Sequence, residues 1–173
     1  MSEPTDLISL NELERATPLF RGKCGNALCR GLMHMLAIDR VNDLYKRNSI
    51  VNGPDFTRAV LKDIGVEYKV LNPEVLKNLP DGPFITISNH PYGHIDGVIL
   101  VDLFGHIRPD FKVMVNKFLG RIRTLDENFI CVTPVGEERT SPTKDSIQGI
   151  KDAVAHIRTG GALGLFPSGA VSD

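Results

Sequence analysis

Phe84-Ile85-Thr86-Ile87-Ser88-Asn89-His90-Pro91-Tyr92-Gly93-His94-Ile95-Asp96-Gly97-Val98-Ile99-Leu100 is the stretch that decides how this chain folds. Residues 84–88 are a short, mostly apolar run rich in β-branched side chains, which predicts a buried strand. Pro91 and Gly93 are turn formers, so residues 89–94 predict a tight connection. From Ile95 the apolar residues continue long enough for a helix over 95–104. A strand feeding through a glycine-containing turn into a helix is the first half of a strand–helix–strand unit.

Downstream, the same alternation repeats. Strands are expected at 111–115 (Phe-Lys-Val-Met-Val) and 129–132 (Phe-Ile-Cys-Val). A long helix is expected from Pro142 to about Thr159, with Ser141 as its cap, Ile147, Ile150, Val154 and Ile157 as its apolar stripe, and Gly160-Gly161 as its stop. A final strand, 162–166, runs into Pro167-Ser168-Gly169. Upstream, Val66, Tyr68 and Val70 alternate as a strand would, and Asn72-Pro73 opens a short helix to Asn78. Strands alternating with helices predict an α/β layered fold with a mostly parallel sheet.

Residues 1–65 read instead as an N-terminal helical segment, forming one domain together with an α/β core at 66–173. Gly25 to Ile38 is rich in Leu, Met and Ala, and Arg40 to Asn48 is a short polar helix. Pro54 suits a first helical position, Phe56, Val60, Leu61 and Ile64 follow at helical spacing, and Gly65 suits the end. Leu28, Leu32, Met35 and Leu36 form an apolar face with Arg21, Lys23, Arg30 and Arg40 nearby. That face fits either a helix in the lipid headgroup region or one packed on the sheet.

Composition narrows the class. The chain has 173 residues and 42% hydrophobic residues, enough for a sizeable core. A net charge of −1 gives no general basic field for nucleic acid. Cys24, Cys29 and Cys131 have no zinc-finger spacing and leave one thiol over in any pairing, which suits free thiols in a reducing cytosol. The first residues lack the basic start and apolar centre of a signal peptide, and no uncharged apolar stretch is long enough to cross a bilayer as a helix.

The turn after the first core strand carries the chemistry. His90 at a strand's end, with Asp96 one turn further on, can act as an oriented general base. Asp96 would hold the imidazole tautomer and stabilise the imidazolium that forms. Pro91 and Gly93 would shape the turn so that the side chains converge. Alternatively Asp96 is a helix-start residue answering the dipole, and His90 is structural. His94 adds a third reading, in which His90, His94 and Asp96 are metal ligands. Pro91 and Gly93 argue against the continuous helix that such an arrangement would need.

Ser88-Asn89-His90-Pro91-Tyr92-Gly93-His94-Ile95-Asp96-Gly97 resembles the first motif of the glycerolipid acyltransferase superfamily, the PlsC-like lysophospholipid acyltransferases. Phe166-Pro167-Ser168-Gly169-Ala170-Val171-Ser172 resembles its third motif, usually written F-P-E-G-T-R-S. Both are closer to a bacterial branch with N-H-P-x-G-x-x-D-G and F-P-x-G-x-V-S, which includes haemolysin-like proteins and the O-acyltransferases of ornithine- and glycine-lipid synthesis. Residues 39–45 and Met114-Val115-Asn116-Lys117 also resemble that branch. The resemblance implies His90 and Asp96 as catalytic residues, without a metal. It implies Asn89, Gly93, Asn116, Lys117, Pro167, Ser168 and Gly169 at the substrate. It also implies a fatty acyl thioester of coenzyme A or acyl carrier protein as co-substrate, with no bound cofactor, and a lyso-lipid acceptor at the inner face of a membrane.

Three departures qualify this. Five residues separate His90 from Asp96, where the superfamily commonly has four. Ser168 and Val171 replace the Glu and Arg tied to glycerol-phosphate recognition, which points to another hydroxyl acceptor such as an N-acylated amino acid. The chain stops directly after the third motif, where family members continue, so a partial product is expected. A metal- or water-dependent hydrolase and a non-catalytic lipid-binding fragment are the alternatives to the transferase.

Overall fold

The computed structural model describes residues 6–7, 34, 37–133 and 144–169, with the backbone alone at 145. The chain divides into two compact units, Met1–Ile50 and Val51–Asp173. In the first, α1 spans Ile38–Asn48 and follows Ala37, whose φ of 56° places it in the left-handed region. The apolar face expected at residues 20–38 lies almost wholly outside the described residues, as do Cys24 and Cys29.

The second unit holds a four-stranded sheet, β1 (Phe84–Ile87), β2 (Lys112–Asn116), β3 (Phe129–Val132) and β4 (Ala162–Leu165). All three pairings are parallel, in the order β1-β4-β2-β3. The sheet is flanked by helices, as the alternating pattern requires. The helices of this unit are α2 (Gly53–Asp63), α3 (Glu74–Lys77), α4 (His94–Gly105) and α5 (Lys144–Arg158). The expected start of α5 at Ser141-Pro142 lies outside the described residues.

The core follows from the pleat. Phe84 points to α4, where its ring lies 6.3 Å from that of Phe104; Phe104 stacks in turn on Phe111, 5.0 Å away. Phe111, Val113, Val101 and Ala162 are completely buried. On the opposite face, Leu163, Ile130 and Ala153 pack with Met114, Ile157 and Leu165, which seats α5 on β3 and β4. Gly105 lets α4 meet α2: a Cβ there would lie 2.5 Å from Cγ of Pro54.

Two elements differ from the sequence reading. Residues 66–70 keep the alternating burial of a strand but pair with none. Tyr68 reaches Asp102 on α4 through a 2.6 Å hydrogen bond, so a side chain rather than a ladder ties the segment down. After β2 the backbone winds into two 3-10 segments to which the sequence pattern assigned no element, Lys117–Arg121 and Arg123–Asn128. The Asn116 side chain starts the first by accepting from the Phe118 N–H at 3.0 Å.

Candidate active site

The connection from β1 to α4 builds the site. Gly93 has φ 61° and ψ −127°, a conformation that few side chains tolerate, and its carbonyl accepts from the Asp96 N–H at 3.1 Å. This turn starts α4 at His94 and sets Asp96 in the first helical turn, where a carboxylate also answers the helix dipole. The same turn folds back, so that the Tyr92 backbone N–H donates to Oδ2 of Asp96 at 2.9 Å. His90 Nδ1 lies 3.2 Å from that oxygen. Both side chains are mostly buried, 19% exposed for His90 and 15% for Asp96.

The third-motif turn arrives beside this pair because β4 is the neighbour of β1. Ile87 pairs with Leu165, and the Ser88 N–H donates to the Leu165 carbonyl at 3.1 Å. The next residues of both strands therefore emerge side by side. The ring of Phe166 packs on the imidazole of His90, with 4.2 Å between centroids and 32° between planes.

A proton on Nδ1, the ring nitrogen 3.2 Å from Asp96, would leave the lone pair on Nε2, which could then take a proton. A buried carboxylate with a second anchor can then stabilise the imidazolium without itself moving. Such an arrangement suits general-base activation of a hydroxyl.

His90 thus lies against both Asp96 and Phe166. Asn89 is exposed beside His90, and Pro167, Ser168 and Gly169 form an exposed turn after β4, closed by a Gly169 N–H to Phe166 carbonyl bond of 3.0 Å. Asn116 ends β2 at the same sheet end and Lys117 follows it, with β4 between β2 and β1. Lys117 borders a pocket with Phe118, Gly120, Arg121 and Cys131. Burial pushes the Cys131 thiol pKa up. His94 is exposed at the start of α4, and among the described residues no three His, Cys, Asp or Glu side chains converge as a metal site. Ala170, Val171 and Ser172 lie outside the described residues.

Sequence reasoning missed the Tyr92 amide anchor and the contact of Phe166 with His90. It also missed a second polar cluster further along α4, where the nearly buried Asp102 meets Arg58 Nε at 3.0 Å, the Tyr68 hydroxyl and His106. A charged residue inside Val98-Ile99-Leu100-Val101-Asp102-Leu103-Phe104 was the available signal for it.

An acyltransferase family model matches residues 11–146, which include the His90 motif and stop before Phe166. A lyso-glycine lipid O-acyltransferase of Phocaeicola vulgatus is 28% identical over 109 residues, covering 62% of this chain and 38% of that protein. The chain thus spans well under half of the length of that relative. No solved structure matches the chain. Most of the sequence falls within the matched range, and the chain belongs to this acyltransferase family.

Proposed function

We propose that the chain carries the transfer centre of a lipid O-acyltransferase. The single observation behind this reading is the His90 Nδ1 to Asp96 Oδ2 approach of 3.2 Å at the carboxyl end of β1, the sheet edge where parallel α/β folds gather ligands. His90 Nε2 removes the proton of an acceptor hydroxyl as its oxygen attacks the carbonyl carbon of a fatty acyl thioester. The carbon–sulfur bond then breaks, and His90 returns the proton to the departing thiolate. The donor is a thioester of coenzyme A or acyl carrier protein, used as co-substrate. Backbone N–H groups of the surrounding turns are the natural donors to the oxyanion.

For the acceptor, the proposal is a lyso-lipid carrying an N-acylated amino acid. Two features support it: Ser168 stands where a glutamate marks phosphate-bearing acceptors in the resembling superfamily, and the relative is named for lyso-glycine lipid. Asn89, Gly93, Asn116, Lys117, Pro167, Ser168 and Gly169 are proposed to border the substrates.

Purified protein given palmitoyl-coenzyme A and lyso-glycine lipid is expected to release thiol and form the diacyl product, with lysophosphatidate a poorer acceptor. His90→Ala, with unchanged circular dichroism, is expected to lose about 10²–10⁴-fold in rate. An unchanged rate would overturn the mechanism.

The proposed location is the cytoplasmic face of a membrane, as a peripheral protein. Among the described residues no helix is long and apolar enough to cross a membrane. Co-sedimentation with anionic vesicles at low salt is the expected result, and its absence would remove the membrane surface as a partner.

A further inference from the structure

We infer that the pocket beside the first 3-10 segment holds the pantetheine phosphate of the thioester donor, with Lys117 and Arg121 as its cations. The inference deepens the acyl-transfer reading and rests on it, and its test separates the two. The pocket has a volume of about 570 Å³ and is lined by Lys117, Phe118, Gly120, Arg121 and Cys131. Two cations and no carboxylate stand among these described residues. A second pocket, beside α2, is balanced instead, with Arg58 and Lys62 against Glu67 and Asp102. Of the two, the first has the charge that an anion needs.

The sequence builds this surface locally. Asn116 ends β2, and its side chain accepts from the Phe118 N–H, which turns the chain into the 3-10 segment. Gly120 lets that segment close onto β3: a Cβ there would lie 2.8 Å from Cys131 Sγ. The Arg121 guanidinium carbon lies over the Phe118 ring, 4.9 Å from its centroid, which limits where the guanidinium points. Lys117 and Arg121 also have other contacts within the protein. An ammonium carries three N–H donors and a guanidinium five, so an anion shares these cations rather than needing them free.

Position and chemistry then choose the anion. Lys117 follows β2, two strands from β1 in the order β1-β4-β2. With neighbouring strands about 4.8 Å apart, the pocket begins roughly 10 Å along the sheet edge from the end of β1. An extended pantetheine arm reaches about 15 Å from sulfur to phosphate. It can therefore cross the exposed Pro167-Ser168-Gly169 turn with its thioester at His90. The proposed acceptor, an N-acylated amino acid lipid, carries no phosphate. Both donors do, coenzyme A and acyl carrier protein alike, at the same end of the same arm. Lysine meets a phosphate as a point charge, and arginine meets it through paired N–H donors.

Calorimetric titration of the 173-residue chain with phosphopantetheine and with pantetheine tests this. The phosphate is expected to tighten binding about tenfold or more, the scale of a hydrogen bond between charged groups. The double variant Lys117→Gln, Arg121→Gln should remove that difference and leave pantetheine binding alone. In turnover with lyso-glycine lipid, the same variant is expected to raise KM about tenfold for palmitoyl-coenzyme A and for palmitoyl-acyl carrier protein, with kcat and the acceptor KM held. Equal binding of the two probes by wild type overturns the inference, whether or not the variant folds. A KM rise for one donor alone also overturns it, by placing the cations on the adenosine phosphates or on the carrier protein's surface. So does a KM rise for the lipid acceptor. Failure of the base reading has a different signature: transfer survives His90→Ala while the preference for phosphopantetheine over pantetheine stays intact.

Discussion

Oδ2 of Asp96 accepts from the Tyr92 backbone N–H at 2.9 Å, and His90 Nδ1 lies 3.2 Å from the same oxygen. The amide bond aims the carboxylate, and the carboxylate aims the imidazole, so the two contacts act in series. Asp96→Asn keeps the shape but offers a neutral amide, which can present its NH2 to the ring and reverse the tautomer. In the serine-hydrolase triad the equivalent change costs about 10⁴ in kcat. Here a fall of between about 10² and 10⁴ in kcat is expected, with thermal unfolding shifted little, measured as thiol release beside a melting curve. A loss in KM alone would place Asp96 at the substrate instead. His90 and Asp96 were legible in the sequence because chemistry-bearing types stood on either side of a glycine turn. Phe166 as their neighbour was not, because strand order decides that contact and a residue pattern does not encode strand order.

Among the elements, α4 serves two ends. Its first turn carries Asp96, and two turns on Asp102 is 4% exposed, gathering Arg58 from α2, Tyr68 from the unpaired 66–70 segment, and His106. The alternation at 66, 68 and 70 predicted a strand, and the side chains do turn inward alternately. Alternation reports which side is covered; it does not report whether a partner strand is within reach, so the burial was legible and the pairing was not. Burial, and then the hydrogen bond to Asp102, push the Tyr68 phenol well above its usual range. A raised pKa in the folded state means that the contribution to stability is complete below the unfolded phenol value of about 10 and fades as pH rises through the folded one. Tyr68→Phe is expected to cost about 1.5–3 kcal/mol at pH 7, the range for a hydrogen bond to a charged group. Above pH 10 the wild type should lose stability faster than the variant, so that their urea midpoints converge. Parallel curves across that range would show that the phenol does not titrate with folding.

At the scale of the sheet unit, the two ends of the parallel strands have separate duties. His90, Phe166 and Asn116 leave from the carboxyl ends, while the opposite ends are gathered by Arg108. Its guanidinium donates to the carbonyls of Pro80 at 2.8 Å and Gly82 at 3.0 Å before β1, and of Gly160 at 3.1 Å before β4. It also grips both Asp110 oxygens at 2.9 Å before β2, and lies over the Phe84 ring at 5.3 Å. One side chain thus registers the entry of three strands, including the pair whose far ends bring His90 and Phe166 together. The α/β class was legible from the alternation of elements, but this clamp was not: Arg108 sits among turn residues and looks like any surface cation until the order β1-β4-β2 draws three strand starts around it. Because the Arg108 side chain is only 16% exposed, its removal strands several acceptors and a carboxylate. Arg108→Met is expected to destabilise by about 1–3 kcal/mol, the scale for leaving hydrogen-bond acceptors without their donor. Acid provides a second reading of the same contact. Hydrogen bonding to Arg108 holds the Asp110 carboxyl below its usual range, so its contribution is complete above about pH 4 and is lost as pH falls through the lowered value. Urea unfolding of wild type should weaken over that acid window, and Arg108→Met should show a smaller acid loss from an already lower plateau. An equal acid loss in both would assign the acid sensitivity to other carboxylates and leave Arg108 with its carbonyl contacts alone.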